Sequence, residues 1–240
     1  MFILNKNLEI SFKNWCDEIE ERGSAVLINK DRKWTSFDVI AKLRNILQIK
    51  KLGHCGTLDP FATGLLIVCI GRKATREIYK FQELKKEYIT TIKIGATTKS
   101  FDIENEEENI SDISNISNKD IEDSIYSFVG KIKQIPPMFS AKKIKGKRMY
   151  ELARKNIEVE HEPIEVNIYK MDIIDINLPY VKLLVECSKG TYIRAIARDI
   201  GIKLNTGAYL TELERTAIGD YRVENAFSIQ ELINYKNKEN

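Results

Sequence analysis

The sequence is compatible with an α+β fold, and three observations support that reading. Short apolar or alternating runs with the spacing of β-strands recur along the chain. Runs with helical apolar spacing lie between them, several with a capping residue in front. The 240 residues, 43% hydrophobic and 30% charged, suffice for one large domain or two small ones around a sizeable core. How the strands join into a sheet is left open by the pattern.

The first 22 residues read as a short strand and a helix. Phe12, Trp15, Cys16 and Ile19 share one helical face, Ser11 caps the start and Gly23 stops it. Ser24–Lys30 reads as a buried strand ending in a cation. Thr35 and Ser36 then open a helix with Phe37, Val39, Ile40, Leu43, Ile46 and Leu47 on its apolar side. Gly53 to Gly64, GHCGTLDPFATG, is a loop rich in glycine that holds His54 and Asp59. It leads into an apolar strand that stops at Gly71. A helix from Arg72 to Lys86 follows, then an alternating strand from Glu87 to Gly95 with Tyr88, Thr90, Ile92 and Ile94 on one face.

Residues 102–118, rich in acidic side chains, read as a solvated, mobile loop that should lie away from any phosphate. A helix starts at Asn118, with Ile121, Ile125 and Phe128 inward and Gly130 as its stop. Ile164–Asn177 and Tyr180–Ser188 read as strands. The run from Ser188 to Arg194 enters a helix with Ile196, Ile200 and Leu204 inward. Gly207–Ile218 is a last strand, and Ser228 with Glu231 forms a capping box for a final helix.

Several classes are excluded or disfavoured. No apolar run reaches membrane-spanning length and the N-terminus lacks a signal-peptide layout. Cys16, Cys55, Cys69 and Cys187 form no C-x-x-C pair and read as reduced cytosolic residues. His54 and His161 are too few and too far apart to suggest a metal centre. A net charge of +3 says little about a nucleic-acid partner; the distribution says more. Between residues 131 and 156, Lys142, Lys143, Lys145, Lys147, Arg148, Arg154 and Lys155 alternate with Met149, Tyr150 and Leu152. The run is either a grip on an RNA backbone or ordinary solvated surface. Asp59 also has two readings: a carboxylate held still at a ligand-binding turn, or a turn cap. Lys30 alone would be a solvated strand end, and Tyr88 a half-buried strand tyrosine.

The loop around Asp59 resembles the catalytic motif of the tRNA pseudouridine synthase B (TruB) family, close to G-H-x-G-T-L-D-P-x-A-T-G-x-L. Lys30 and Ser36 fit the first motif, with Asp31 in place of its proline and Lys33 or Trp34 in place of its glycine. Lys86 and Tyr88 fit a second motif, PPMFSAKK and YELARKN a third, and CSKGTYIR a fourth. The resemblance spans about residues 24–235. It implies a mixed, mostly antiparallel sheet flanked by helices, with a catalytic cleft across its centre. It implies an N-terminal extension over 1–23, a catalytic domain over 24–240 with an RNA-binding insertion at 131–158, and no PUA module. The implied activity is isomerisation of uridine-55 in the T-loop of tRNA to pseudouridine. Asp59, Tyr88 and Arg194 would be catalytic, with Arg194 paired to Asp59. Lys30, His54, Tyr192, Leu213, Lys142, Lys143, Lys145, Lys147 and Arg148 would bind substrate. Neither cofactor nor metal is expected. A cytoplasmic monomer is expected, acting on the T-arm of tRNA with no membrane and no guide RNA.

Overall fold

The computed structural model describes residues 1–138 and 162–238, together with the backbone of Lys143–Ile144 and Lys147–Arg148. In chain order the elements are β1 (Phe2–Leu4), α1 (Phe12–Arg22), β2 (Ser24–Lys30), α2 (Ser36–Leu47), β3 (Leu52–His54), β4 (Thr63–Ile70), α3 (Gly71–Thr75), α4 (Ile78–Glu83) and β5 (Lys86–Ile94). Then come α5 (Asn118–Tyr126), β6 (Gly130–Gln134), β7 (Lys143–Ile144), β8 (Lys147–Arg148), β9 (Ile164–Asn177), β10 (Tyr180–Cys187), α6 (Ile193–Lys203), β11 (Ala208–Ile218), β12 (Tyr221–Arg222) and α7 (Ile229–Asn237). The fold is α+β, with a mixed sheet of ten strands. Two of its pairings, β1 with β2 and β4 with β11, are parallel. The chain divides into two compact units, Met1–Glu87 with Glu214–Asn240, and Tyr88–Leu213.

In the first unit, β2 and β4 pair antiparallel from Ser24↔Ile70 to Lys30↔Gly64. Both strands are apolar without alternation because both faces are covered. Val26, Ile28, Leu66 and Val68 meet Trp15, Val39, Leu43 and Leu232 from α1, α2 and α7 on one face. Ala25, Leu27, Leu65 and Ile67 meet Ala74, Phe81 and Ile218 on the other. Each such aliphatic side chain contributes about 1.5–3 kcal/mol when withdrawn from water. The first residues belong to this core: β1 pairs with β2, and Trp15 is fully buried with its indole N–H on Ser24 Oγ at 2.8 Å. Ser11 and Gly23 cap α1 as expected, and Ser228 with Glu231 forms the expected capping box of α7.

In the second unit, β9 and β10 form a long antiparallel hairpin, and β6 pairs with β9. Helix α5 packs against β9 and α6. The acidic loop is tied down, contrary to the mobile reading. Thr97 and Glu108 exchange backbone bonds of 2.8 and 2.7 Å, and the Glu107 carboxylate meets Lys93 and the Tyr209 hydroxyl.

Two expectations from periodicity fail. Arg72–Lys86 is not one helix: the chain tightens where Glu77 N–H bonds to Ala74 O and Lys80 N–H to Glu77 O, and Lys86 opens β5. Phe37 is not inward; it is 56% exposed. The inward positions of α2 are Ser36, Val39, Ile40, Leu43 and Ile46, and Phe37 falls on the other side of the first turn.

The turn after β2 is where the chain departs from the first motif. Lys33 has φ 70°, the left-handed conformation that glycine adopts without strain. Its N–H bonds to Pro60 O at 2.8 Å. A lysine therefore adopts here a conformation that ordinarily favours glycine. Lys33→Gly should stabilise the protein by about 1 kcal/mol, because the left-handed penalty outweighs the added freedom of the unfolded chain. An unchanged or lowered midpoint in urea denaturation would show that the lysine side chain makes a compensating contact.

Candidate active site

The loop from Cys55 to Ala62 leaves the sheet with its backbone groups in need of partners, and buried side chains supply them. Cys55 N–H makes a last sheet-like bond to Ile67 O at 2.9 Å. Ser36, 1% exposed at the start of α2, gives its hydroxyl proton to Leu58 O at 3.2 Å and accepts from Leu58 N–H at 2.9 Å. Arg215, 2% exposed on β11, donates through Nε to Leu65 O at 2.8 Å and through Nη2 to Gly56 O at 3.1 Å. Asp59 starts a turn in which its carbonyl accepts from Ala62 N–H at 3.1 Å, with Pro60 at the position whose φ it presets. Asp59 itself is half-buried. An unsatisfied buried donor or acceptor costs about 1–3 kcal/mol, so these bonds decide whether the loop has one shape or many.

Lys30 is 1% exposed and is not a solvated strand end. Its ammonium donates to Trp34 O at 2.7 Å and Asp31 O at 3.0 Å, with a longer contact to Pro60 O at 3.5 Å. Burial lowers its pKa to about 8, against the pull of the Asp59 carboxylate and with a further push from Arg215. The expected substrate contact is thus a cation turned toward the backbone of the Asp59 loop. Gly64 closes the loop at φ 100°, where a Cβ would lie 2.4 Å from Arg215 O. Only glycine permits β4 and β11 to approach this closely.

His54, half-buried at the end of β3, stands edge-on to Phe37 with ring centroids 5.6 Å apart. Burial and then the Arg215 charge hold its imidazole below the ordinary range, which favours the neutral ring. Cys55 and Cys69 lie fully buried with sulfurs 3.5 Å apart, and both are free thiols. Their contact and burial raise the Cys55 pKa.

The second unit holds Tyr88, Tyr192, Arg194 and Leu213. Tyr88 and Leu213 are 9% and 7% exposed, and Tyr192 is half-buried. Arg194, in the first turn of α6, donates to Ser100 O at 3.0 Å and stands 3.4 Å from the carboxylate of Asp102, which is 1% exposed. Asp102 also accepts from Ser100 Oγ and from Glu104 N–H. A charge pair this deep needs such further hydrogen bonds to hold. Gln134, fully buried at the end of β6, accepts from Tyr192 N–H at 2.8 Å and donates to Tyr192 O at 3.1 Å. It thereby fixes the backbone two residues before Arg194.

Sequence reasoning missed Arg215, Asp102 and Gln134. Arg215 had a signal: it falls two residues from Leu213 and two from Ala217, so strand alternation puts all three on one face, and all three are buried. Asp102 was absorbed into the acidic run that follows it. Lys142, Lys143, Lys145, Lys147 and Arg148 lie outside the described residues, apart from the antiparallel pairing of β7 with β8. Among the described residues, no group of three or more His, Cys, Asp or Glu side chains could hold a metal ion. No helix among them is long and apolar enough to cross a membrane.

Residues 44–193 match the family model described as TruB family pseudouridylate synthase (N terminal domain). The chain is 48% identical over 216 residues to the tRNA pseudouridine synthase B of Phocaeicola vulgatus, covering 88% of this chain and 92% of that relative. It is 46% identical over 210 residues to the protein of the same name from Clostridium tetani, covering 88% and 72%. Among solved structures it is similar to a chain of a Cbf5-Nop10-Gar1 complex, with a TM-score of 0.70 and 24% identity over 92% of this chain and 56% of that one. At that identity the likeness speaks to the fold alone.

The lowered Lys30 pKa has a sign that can be tested. Below about pH 8 the folded chain holds a buried ammonium at full cost; between about 8 and the ordinary 10.5 it sheds that proton before the unfolded chain does. Over that window Lys30 therefore favours folding more as pH rises. The stability difference between wild type and Lys30→Met should be flat below pH 8 and shift toward wild type above it, read from urea midpoints. A difference flat throughout would mean that Lys30 does not titrate there.

Proposed function

Because the chain belongs to the TruB family of pseudouridylate synthases, we propose that it isomerises uridine-55 in the T-loop of tRNA to pseudouridine, with Asp59 as the catalytic carboxylate. The observation that supports this most is the Asp59 loop itself, a carboxylate in a turn whose flanking backbone is fastened by Ser36, Lys30 and Arg215. A group aimed at one atom of a nucleotide has to be held within a fraction of an ångström, and that fastening supplies the rigidity.

The reaction breaks the bond from C1′ to N1 of the uracil, turns the base and joins C1′ to C5. It exchanges no electrons with a partner and donates no group, so it calls for no cofactor. Asp59 acts as nucleophile at C1′ or C6, or assists departure of the base. In this reading Arg194 contributes a positive charge to the reaction, and Asp102 and Ser100 hold its guanidinium in turn. Tyr88 stacks on the uracil, while Tyr192 and Leu213 line its pocket. The target base is extracted from a folded T-loop at about a few kcal/mol. His54, whose neutral form burial favours, enters the vacated space. Lys142, Lys143, Lys145, Lys147 and Arg148 grip the RNA backbone and offset that cost. Recognition then follows T-loop shape more than base sequence. The protein works as a cytoplasmic monomer on tRNA alone.

Incubating the protein with unmodified tRNA transcript should yield pseudouridine at position 55 and nowhere else. Product at another position would keep the chemistry and move the target. Asp59→Asn should abolish tritium release from labelled uridine while tRNA affinity stays within about tenfold. Turnover near that of wild type would remove Asp59 from the mechanism.

A further inference from the structure

We infer that the outer face of α2 is a second nucleotide-binding surface, which stacks one unpaired base of the RNA on Trp34 and Phe37 and holds the adjoining phosphates on Lys33 and Lys42. The inference rests on the tRNA reading above and adds a contact which that reading does not need.

It begins from Phe37. A phenylalanine 56% exposed in the first turn of a helix with a well-packed inner face has no role in the core. Its ring stands edge-on to His54 at 90°, with centroids 5.6 Å apart. Its neighbour Ser36 holds Leu58, one residue before Asp59. The exposed ring therefore sits at the border of the loop through which RNA would be processed.

Next to it runs an open groove of about 400 Å³ lined by Lys33, Trp34, Asp38, Ala41, Lys42 and Asn45. That volume is in the range of small-ligand sites and accommodates a nucleotide. Ala41 leaves space between longer neighbours. Trp34 is half-buried against the core of the first unit while also lining the groove. The one acidic residue, Asp38, is committed to the helix cap: its carboxylate accepts from Thr35 N–H at 2.8 Å and from the Thr35 hydroxyl at 2.7 Å. The remaining charge, Lys33 and Lys42, is positive. An aromatic platform flanked by cations, with an amide from Asn45, is the chemistry that holds single-stranded nucleic acid through stacking and backbone charge. A protein partner or a second copy of this chain would use the same exposed ring but would gain little from Lys33 and Lys42, which form no ion pair among the described residues.

The test measures binding of an unmodified tRNA transcript over a range of salt concentrations for wild type, Phe37→Ser, Lys42→Glu and the milder Lys42→Ala. Phe37→Ser should weaken binding about tenfold. Lys42→Ala should weaken it several-fold and lower the slope of log affinity against log salt by about one, with a larger loss for Lys42→Glu. Trp34 emission should be quenched by the RNA, and Trp34→Phe should abolish that change. Affinities within twofold of wild type and an unchanged salt slope, in variants with wild-type melting, would overturn the inference. So would a changed sedimentation coefficient of Phe37→Ser with unchanged RNA affinity, which would make the face a protein contact. Wild-type protein that neither binds nor converts the transcript would instead overturn the tRNA reading itself.

Discussion

The fastening of the Asp59 loop by buried donors is the constraint on which the first unit depends. A stretch with several glycines and a proline has no helix or strand in which to pair its own amides and carbonyls, and withdrawing them from water unpaired would unfold it. Ser36, Lys30 and Arg215 each sit at or below 2% exposure and direct polar atoms at Leu58, Pro60, Gly56 and Leu65. Two of the three are cations, and hydrogen bonds from a charged donor to a carbonyl are stronger than neutral ones. Their burial is tolerable because carbonyl oxygens, and for Lys30 the nearby Asp59 charge, stand in for water.

The surrounding sheet makes this possible. With both faces of β2 and β4 covered by helices and apolar side chains, the end of the sheet where Lys30 faces Gly64 is a fixed reference. A side chain anchored there reaches the same carbonyl each time the protein folds. The second unit applies the same device differently. Gln134 holds both backbone groups of Tyr192, while the Ser100 carbonyl and the Asp102 carboxylate hold Arg194, so the start of α6 is fixed by hydrogen bonds and not by packing alone.

Much of this was legible in the sequence. The capped helices α1 and α7, the buried strands β2 and β4 and the β9–β10 hairpin follow from periodicity and capping residues, because those signals are local. The Asp59 motif could be read because it is long and restricted in composition. What stayed hidden was tertiary. Arg215 and Leu65 are 150 residues apart, and no local rule links them. Asp102 looked like the first of many acidic residues, though only its position behind Ser100 and Arg194 sets it apart from Glu106 and Glu108. Phe37 was misplaced because hydrophobicity was taken as inward. In the first turn of a helix one position of shift moves a side chain by about 100°, enough to carry it from the core to the surface.

The short parallel contact at Gly64 and Arg215 also bears on synthesis. On the ribosome, the residues that surround Asp59 emerge early, yet the guanidinium that clasps Gly56 and Leu65 is translated more than a hundred codons later. Until then the nascent loop lacks one of its clasps and β4 lacks its parallel neighbour. The loop around Asp59 thus gains its full set of clasps only once Arg215 has been made, and a chain cut short before that residue carries the whole loop sequence without its fastening.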